Sequence, residues 1–184
     1  MTNTTAGGRR GIPWRLIGWG AVGLILLLPL VLGAPWTLFD YVVAVVLLGG
    51  AGLVLELVVR ASGSLAYRAG TLLAVAAAFG LIWVNGAVGF LGNEDNPANL
   101  MFFGVIAVAV AGSALSGFKA AGTASAMFAA AAAQASVGVI ALALKMGSTG
   151  NDGLYEVVLG TSLFGALWLI SGGLFRRAAD QPAS

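Results

Sequence analysis

The chain has no cysteine and no histidine among its 184 residues. Without cysteine there is no disulfide, no thiolate nucleophile and no thiolate-held metal. Without histidine the commonest acid–base group and the commonest metal ligand are missing, which excludes histidine-ligated haem and the usual copper and zinc sites. Charge is scarce too: 9% of residues are Asp, Glu, Lys or Arg, against about a quarter in ordinary soluble domains. No lysine falls in the middle of an apolar stretch, which argues against a retinal-type Schiff base. The HExxH zinc-protease signature and the Walker A loop are absent, and no Ser/Lys or carboxylate pair is placed for hydrolysis. These absences predict a protein that is not an enzyme and needs no cofactor or metal.

What fills the chain instead is hydrocarbon, at 59% hydrophobic residues. Apolar stretches run over 14–33, 37–59, 67–91, 97–117, 122–144 and 154–175. A helix needs roughly 20 residues at 1.5 Å each to cross a hydrocarbon core of about 30 Å. The expected fold is therefore all-α: a polytopic transmembrane bundle of six spans occupying 12–177 as one domain. Short polar ends, 1–11 and 178–184, are expected to be disordered and cytoplasmic. The net charge of +2 and pI near 9.4 do not point to nucleic acid, because what matters in such a chain is where the charges lie.

Basic residues in short loops favour the cytoplasmic side. With six crossings, Arg9, Arg10, Arg15, Arg60, Arg68, Lys119, Arg176 and Arg177 share one side and Lys145 alone takes the other. Both termini are thus expected in the cytoplasm. Acidic residues lean the opposite way: Asp40, Glu94, Asp95, Asp152 and Glu156 map outside, Glu56 and Asp180 inside. A second reading of the first stretch is a signal peptide cut after Val31-Leu32-Gly33, which leaves five spans and an external N-terminus. Its length, together with Trp14, Trp19 and Pro29, suits an anchored helix better.

Several boundaries carry their own signals. Thr37-Leu38-Phe39-Asp40 matches a capping box. Asn96-Pro97 reads as an N-cap followed by proline at the first helical position. Trp14, Trp36, Tyr41, Tyr67 and Tyr155 sit near expected interfaces. Helices in lipid associate through small residues and polar contacts, and span 5 is extreme in this respect, with alanine at 129–133 and at Ala135, then Ser136 and Gly138. It is expected to lie centrally, with the Leu- and Ile-rich first span facing lipid.

Intramembrane polar groups are where function tends to show. Glu56 in span 2, Asn85 in span 3 and Gln134 in span 5 are the candidates for a transport path. Each also has a plainer reading. Glu56 and Arg60 form an i,i+4 pair, and the two amides bond neighbouring helices. Ser113, Ser116, Ser125, Ser136, Thr161, Ser162 and Ser171 are expected to bond back to their own helices. Outside, Glu94 and Asp95 with Asp40, Asp152 and Glu156 form a candidate acidic mouth for cations. The plainer account of 92–99 is a helix start, with acids beside a positive helix end and Asn96 capping it.

The run Trp83-Val-Asn-Gly-Ala-Val-Gly-Phe-Leu-Gly-Asn-Glu-Asp-Asn-Pro-Ala-Asn-Leu-Met101 resembles a segment of small multi-pass membrane proteins of Gram-negative bacteria, described generally as hypothetical membrane proteins. Ala126-Met127-Phe128-Ala129 and Ala133-Gln134-Ala135 extend the likeness over about 83–140. The resemblance implies a bacterial inner membrane and brings no activity, substrate or catalytic residues. The expected role is a structural or accessory membrane subunit, its partners the lipid bilayer and another membrane protein or further copies of itself. The alternative is a small-solute or cation transporter or channel with an acidic extracytoplasmic mouth.

Overall fold

The computed structural model describes residues 14–148 and 151–181, and among these all regular structure is helical. The helices are α1 Trp14–Val31, α2 Leu38–Ala61, α3 Leu65–Ala87, α4 Leu100–Leu115, α5 Ala120–Ala143 and α6 Asn151–Ala179, with a 3₁₀ turn Pro97–Asn99 leading into α4. Five segments are long and apolar enough to cross a membrane: Leu38–Ala61, Leu65–Ala87, Pro97–Leu115, Ala120–Ala143 and Asp152–Ala179. The first helix is apolar but shorter than these, Arg15–Val31, because the chain turns two residues after Pro29. The third span stops at Ala87 rather than continuing to 91, since Gly89 takes a left-handed φ of 72°. The sixth runs on to Ala179, so Ala178 and Ala179 are helical. The expected tails at 1–11 and 182–184 lie outside the described residues.

The chain divides into two compact units, residues 1–54 and 55–184. In the first, the capping box forms as expected. Asp40 N–H donates to Thr37 Oγ1 (3.3 Å), and Thr37 N–H donates to Asp40 Oδ2 (2.7 Å). Trp36 meets Tyr41 edge-on, ring centroids 5.2 Å apart. Gly52 leaves room for the Trp19 ring; a Cβ there would come within 3.3 Å of it. Large apolar side chains along α1, among them Leu16, Leu24 and Leu30, are exposed, a surface suited to hydrocarbon rather than water.

In the second unit α3, α4, α5 and α6 pack around one core. α5 lies against α4 and α6, α6 lies against α3, and α3 and α4 touch only slightly. Small residues set the spacing. A Cβ on Gly138 would stand 2.5 Å from Thr161 Cγ2, one on Gly112 2.8 Å from Ala126 Cβ, and one on Gly80 2.8 Å from Phe164. Gly147 lies just as close to Gly153, so the α5–α6 pairs draw together in sequence toward their connection and the two helices are antiparallel. α5 carries the most buried positions, Thr123, Ala124, Met127, Ala130, Gln134, Gly138 and Ala141 among them. It is not enclosed all round, however: Ser125, Phe128, Ala132, Ser136 and Val139 form an exposed face.

One polar contact ties α6 to α3, and it comes from a serine expected to bond its own helix. Ser171 Oγ, fully buried, donates to Gly70 O across the interface (2.8 Å). Ser113, Ser125 and Ser136 behave as expected and bond back four residues. At the Arg60 end, Arg68 donates to Val59 O and Ser62 O (both 2.7 Å), satisfying carbonyls at the close of α2. Ser64 caps α3. The α4–α5 turn places Gly117 and then Phe118 at positive φ (62° and 57°). That geometry presents Phe118 O to the Tyr67 hydroxyl, which donates to it at 2.7 Å.

The close approach at Gly138 predicts that Gly138→Ala, read by SDS-induced unfolding of the reconstituted protein, destabilises by about 1–3 kcal/mol through overpacking. Gly165 lies on the same side of α6 but has open space where a Cβ would go. Gly165→Ala should therefore be neutral or stabilising by up to about 1 kcal/mol, the helix-propensity gain. Equal losses at both positions would contradict a specific α5–α6 contact.

Candidate functional site

The three intramembrane candidates do not converge. Glu56 forms an ion pair with Arg60 one turn on, Arg60 Nη2 to Glu56 Oε1 at 2.6 Å. This is the helix-borne pair that its spacing predicts. Neither amide hydrogen-bonds it: Asn85 Nδ2 donates to Leu81 O (2.6 Å), and both polar atoms of Gln134 lack a partner among the described residues.

Asn85 and Gln134 do belong to one core. Gln134 is 0% exposed and Asn85 6%. On α5, Gly122 and Ala126 mark the line facing α4, and Gly138 marks the line facing α6. At 100° per residue Gln134, with Met127 and Ala130, falls between those lines and points into the bundle. Gly138 lies opposite Thr161, so Gln134, four residues away, is about 6 Å further along α6 at 1.5 Å per residue. Trp168 comes about 4.5 Å beyond that level. Gly80 lies opposite Phe164, which sets Asn85 near Thr161 at the far end. Asn85, Thr161, Gln134 and Trp168 thus succeed one another down the interior over about 14 Å.

This file is neutral and sealed. No charged side chain is buried among the described residues. Asn85 Oδ1, Thr161 Oγ1, Gln134 Oε1 and Nε2, and Trp168 Nε1 are all out of contact with solvent and without a hydrogen-bond partner among those residues. Phe90 closes one end, its ring centroid 4.4 Å from Phe102 and 5.9 Å from Phe164. Gly160 makes space for it, for any Cβ there would overlap the Phe90 ring. Tyr67 and Phe175 meet edge-on at 4.9 Å towards the other end.

The polar loop before α4 is a folded support for that plug. Asn99 is buried; its Oδ1 accepts from Phe90 N–H (3.0 Å) and Leu91 N–H (2.8 Å), and its Nδ2 donates to Asn93 O (2.7 Å). Asn96 Oδ1 accepts from Ala98 N–H as the expected cap, while its Nδ2 donates to Leu91 O. Gly89, at positive φ, lies against the Asn93–Glu94 peptide with no room for a side chain. The acids are arranged less tightly. Glu94, Asp95, Asp152 and Glu156 are exposed at the same end of the α3–α6 bundle, with Glu156 accepting from Ser148 Oγ (2.7 Å). Asp40 belongs to the first unit and is engaged by Thr37. Among the described residues no three carboxylates gather as a metal would require.

Sequence reasoning overlooked Trp168, discounted Thr161 and Ser171, and gave Asn99 no role of its own. The signal was there in period: Val157, Thr161, Phe164, Trp168, Ser171 and Phe175 recur at three and four residues and form the inward face of α6. In a uniformly apolar span that stripe has no polar opposite face to set it off. No protein-family model matches the chain, no curated protein is similar to it, and no solved structure matches its fold.

Replacing Asn99 by Ala leaves the buried Phe90 and Leu91 amides without an acceptor. At about 1–3 kcal/mol for each of the two donors, Asn99→Ala should destabilise by roughly 2–6 kcal/mol and raise protease cleavage at 88–96. The exposed Glu94→Gln should change stability by less than about 0.5 kcal/mol. Indistinguishable unfolding of the two variants would show that Asn99 does not hold the loop.

Proposed function

We propose that this chain is a six-span protein of a bacterial inner membrane, with both termini in the cytoplasm, acting as a structural or accessory subunit of a membrane assembly. The observation that carries the reading is the sealed interior: every buried polar side chain among the described residues is neutral, and Phe90 packs over one end of the file against Phe102 and Phe164. A cation path needs charge or converging carbonyls along its length. Here Glu56, the carboxylate furthest into a span, is paired with Arg60. The bilayer supplies one partner, and another membrane protein or further copies of this chain supply the other.

A second reading is favoured by Asn85 and Gln134 lying in one core. It is passage of a small neutral solute, with Phe90 or the Tyr67–Phe175 pair moving aside. The exposed acids at the Phe90 end then form the extracytoplasmic mouth.

Both parts of the proposal are testable on the full chain. Because the sequence has no cysteine, single-cysteine variants need no background changes. Asp95→Cys should react with an impermeant maleimide on intact spheroplasts, and Asp180→Cys only after lysis; the opposite pattern overturns the orientation. Tagged protein extracted in mild detergent should bring down a stoichiometric membrane partner or run as a defined oligomer. Proteoliposomes should show no flux of monovalent cations or small neutral solutes above empty vesicles. A flux abolished by Gln134→Leu would overturn the accessory role in favour of transport.

A further inference from the structure

Gln134 is the most anomalous group among the described residues. A primary amide offers two donors and two acceptor sites, and this one is 0% exposed with neither heavy atom bonded among the described residues. An unpaired buried polar group costs about 1–3 kcal/mol, and more where no water is near. A lone orphan of this kind could reflect strain. Here there are several, and they are complementary. About 4.5 Å along the bundle stands Trp168, 1% exposed, whose Nε1–H lacks an acceptor. About 6 Å in the other direction is Thr161 Oγ1, sealed and unpartnered. Asn85 Oδ1 lies beyond it. Donors and acceptors are both present along the file, and none bonds another.

The helix levels of these residues are offset by about 4–6 Å, and their sealed, unbonded donors and acceptors are the kind of groups that an interposed molecule satisfies. Each hydrogen bond spans about 2.7–3.2 Å, and buried waters characteristically make about three bonds to such groups. The occupant must accept from Trp168 Nε1–H, donate to Gln134 Oε1 and accept from Gln134 Nε2–H. That demands a molecule both donor and acceptor. An ion would be uncompensated, because no buried charge faces the site.

We propose that Gln134, Trp168 and Thr161 form an internal binding site between α5 and α6 for a small neutral hydrogen-bonding ligand, held as a short chain of molecules where each is as small as water. Water is its smallest form, and an amide or polyol solute is the other source of the same chemistry. The site turns the two helices' close contact at Gly138 into a polar joint, and its occupant satisfies the core that Phe90 and Tyr67 close off.

The test is NMR of the full chain in nanodiscs with ¹⁵N-labelled tryptophan, the Trp168 indole signal being assigned by its loss in Trp168→Phe. In buffer alone the Trp168 Nε1–H should show a cross-peak to water. If the occupant is a solute, the cross-peak should instead appear to the amide protons of added acetamide or the methylene protons of added glycerol. In both cases Gln134→Leu should abolish it and move the indole resonance upfield. Thr161→Val, nearly isosteric and least disruptive to folding, should weaken it by at least twofold. Absence of any water or solute cross-peak in the unsubstituted protein, with an indole shift unaltered in Thr161→Val, overturns the site. It would mean that the file is dry.

Discussion

The 55–184 unit depends on how closely two backbones can approach in a solvent that does not push them together. Lipid chains are as apolar as the leucines of a helix, so burying leucine between helices gains little, and contact must come from packing and polar bonds. At Gly138 the absence of a Cβ lets Thr161 of α6 reach the α5 backbone. Gly112 does the same for Ala126, and Gly80 and Gly70 receive the rings of Phe164 and Phe175. From these approaches follows the narrowness of the core, and from the narrowness follows the sealing of Gln134 and Trp168.

The sealed core in turn gives the polar loop before α4 its purpose. The run from Gly92 to Asn99 resembles a ligand loop in composition, yet its amides are spent on its own backbone. Asn99 grips the Phe90 and Leu91 amides, Asn96 caps the turn and ties back to Leu91, and Phe90 is thereby held over the bundle end. Glu94 and Asp95 stand free of this framework on the surface. Such a loop is a lid support with an acidic rim. Polar residues near a membrane surface are thus weak indicators of a site until their hydrogen bonds have been traced.

Much of the architecture is legible in the sequence. The apolar helical character of the segments, the Thr37–Asp40 capping box, the Asn96-Pro97 start and the Glu56–Arg60 pair all follow from local chemistry, which acts over one helical turn. The first helix is shorter, and the ends of the third and sixth fall elsewhere, than the apolar runs suggest. The buried file was only half legible. Asn85 and Gln134 stand out because amides are rare in an apolar run, whereas Trp168 and Thr161 look like ordinary span residues. Their importance arises from the α5–α6 register, a long-range property that no local pattern encodes. Ser171 was misjudged for the same reason, its acceptor Gly70 lying 101 residues away. The α5 helix was legible as a packing helix, but its small residues did not tell which face stays open.

α5 is packed on one face by α4 and α6 and open on the other. A spin label placed in turn at each position from 120 to 143, in the reconstituted chain, measures it through accessibility to oxygen. Accessibility should oscillate with the helical period, with minima at Thr123, Met127, Ala130, Gln134, Gly138 and Ala141 and maxima at Ser125, Ala132, Ser136 and Val139. Uniformly high accessibility, or minima on the Ser125–Ser136 face, would contradict it.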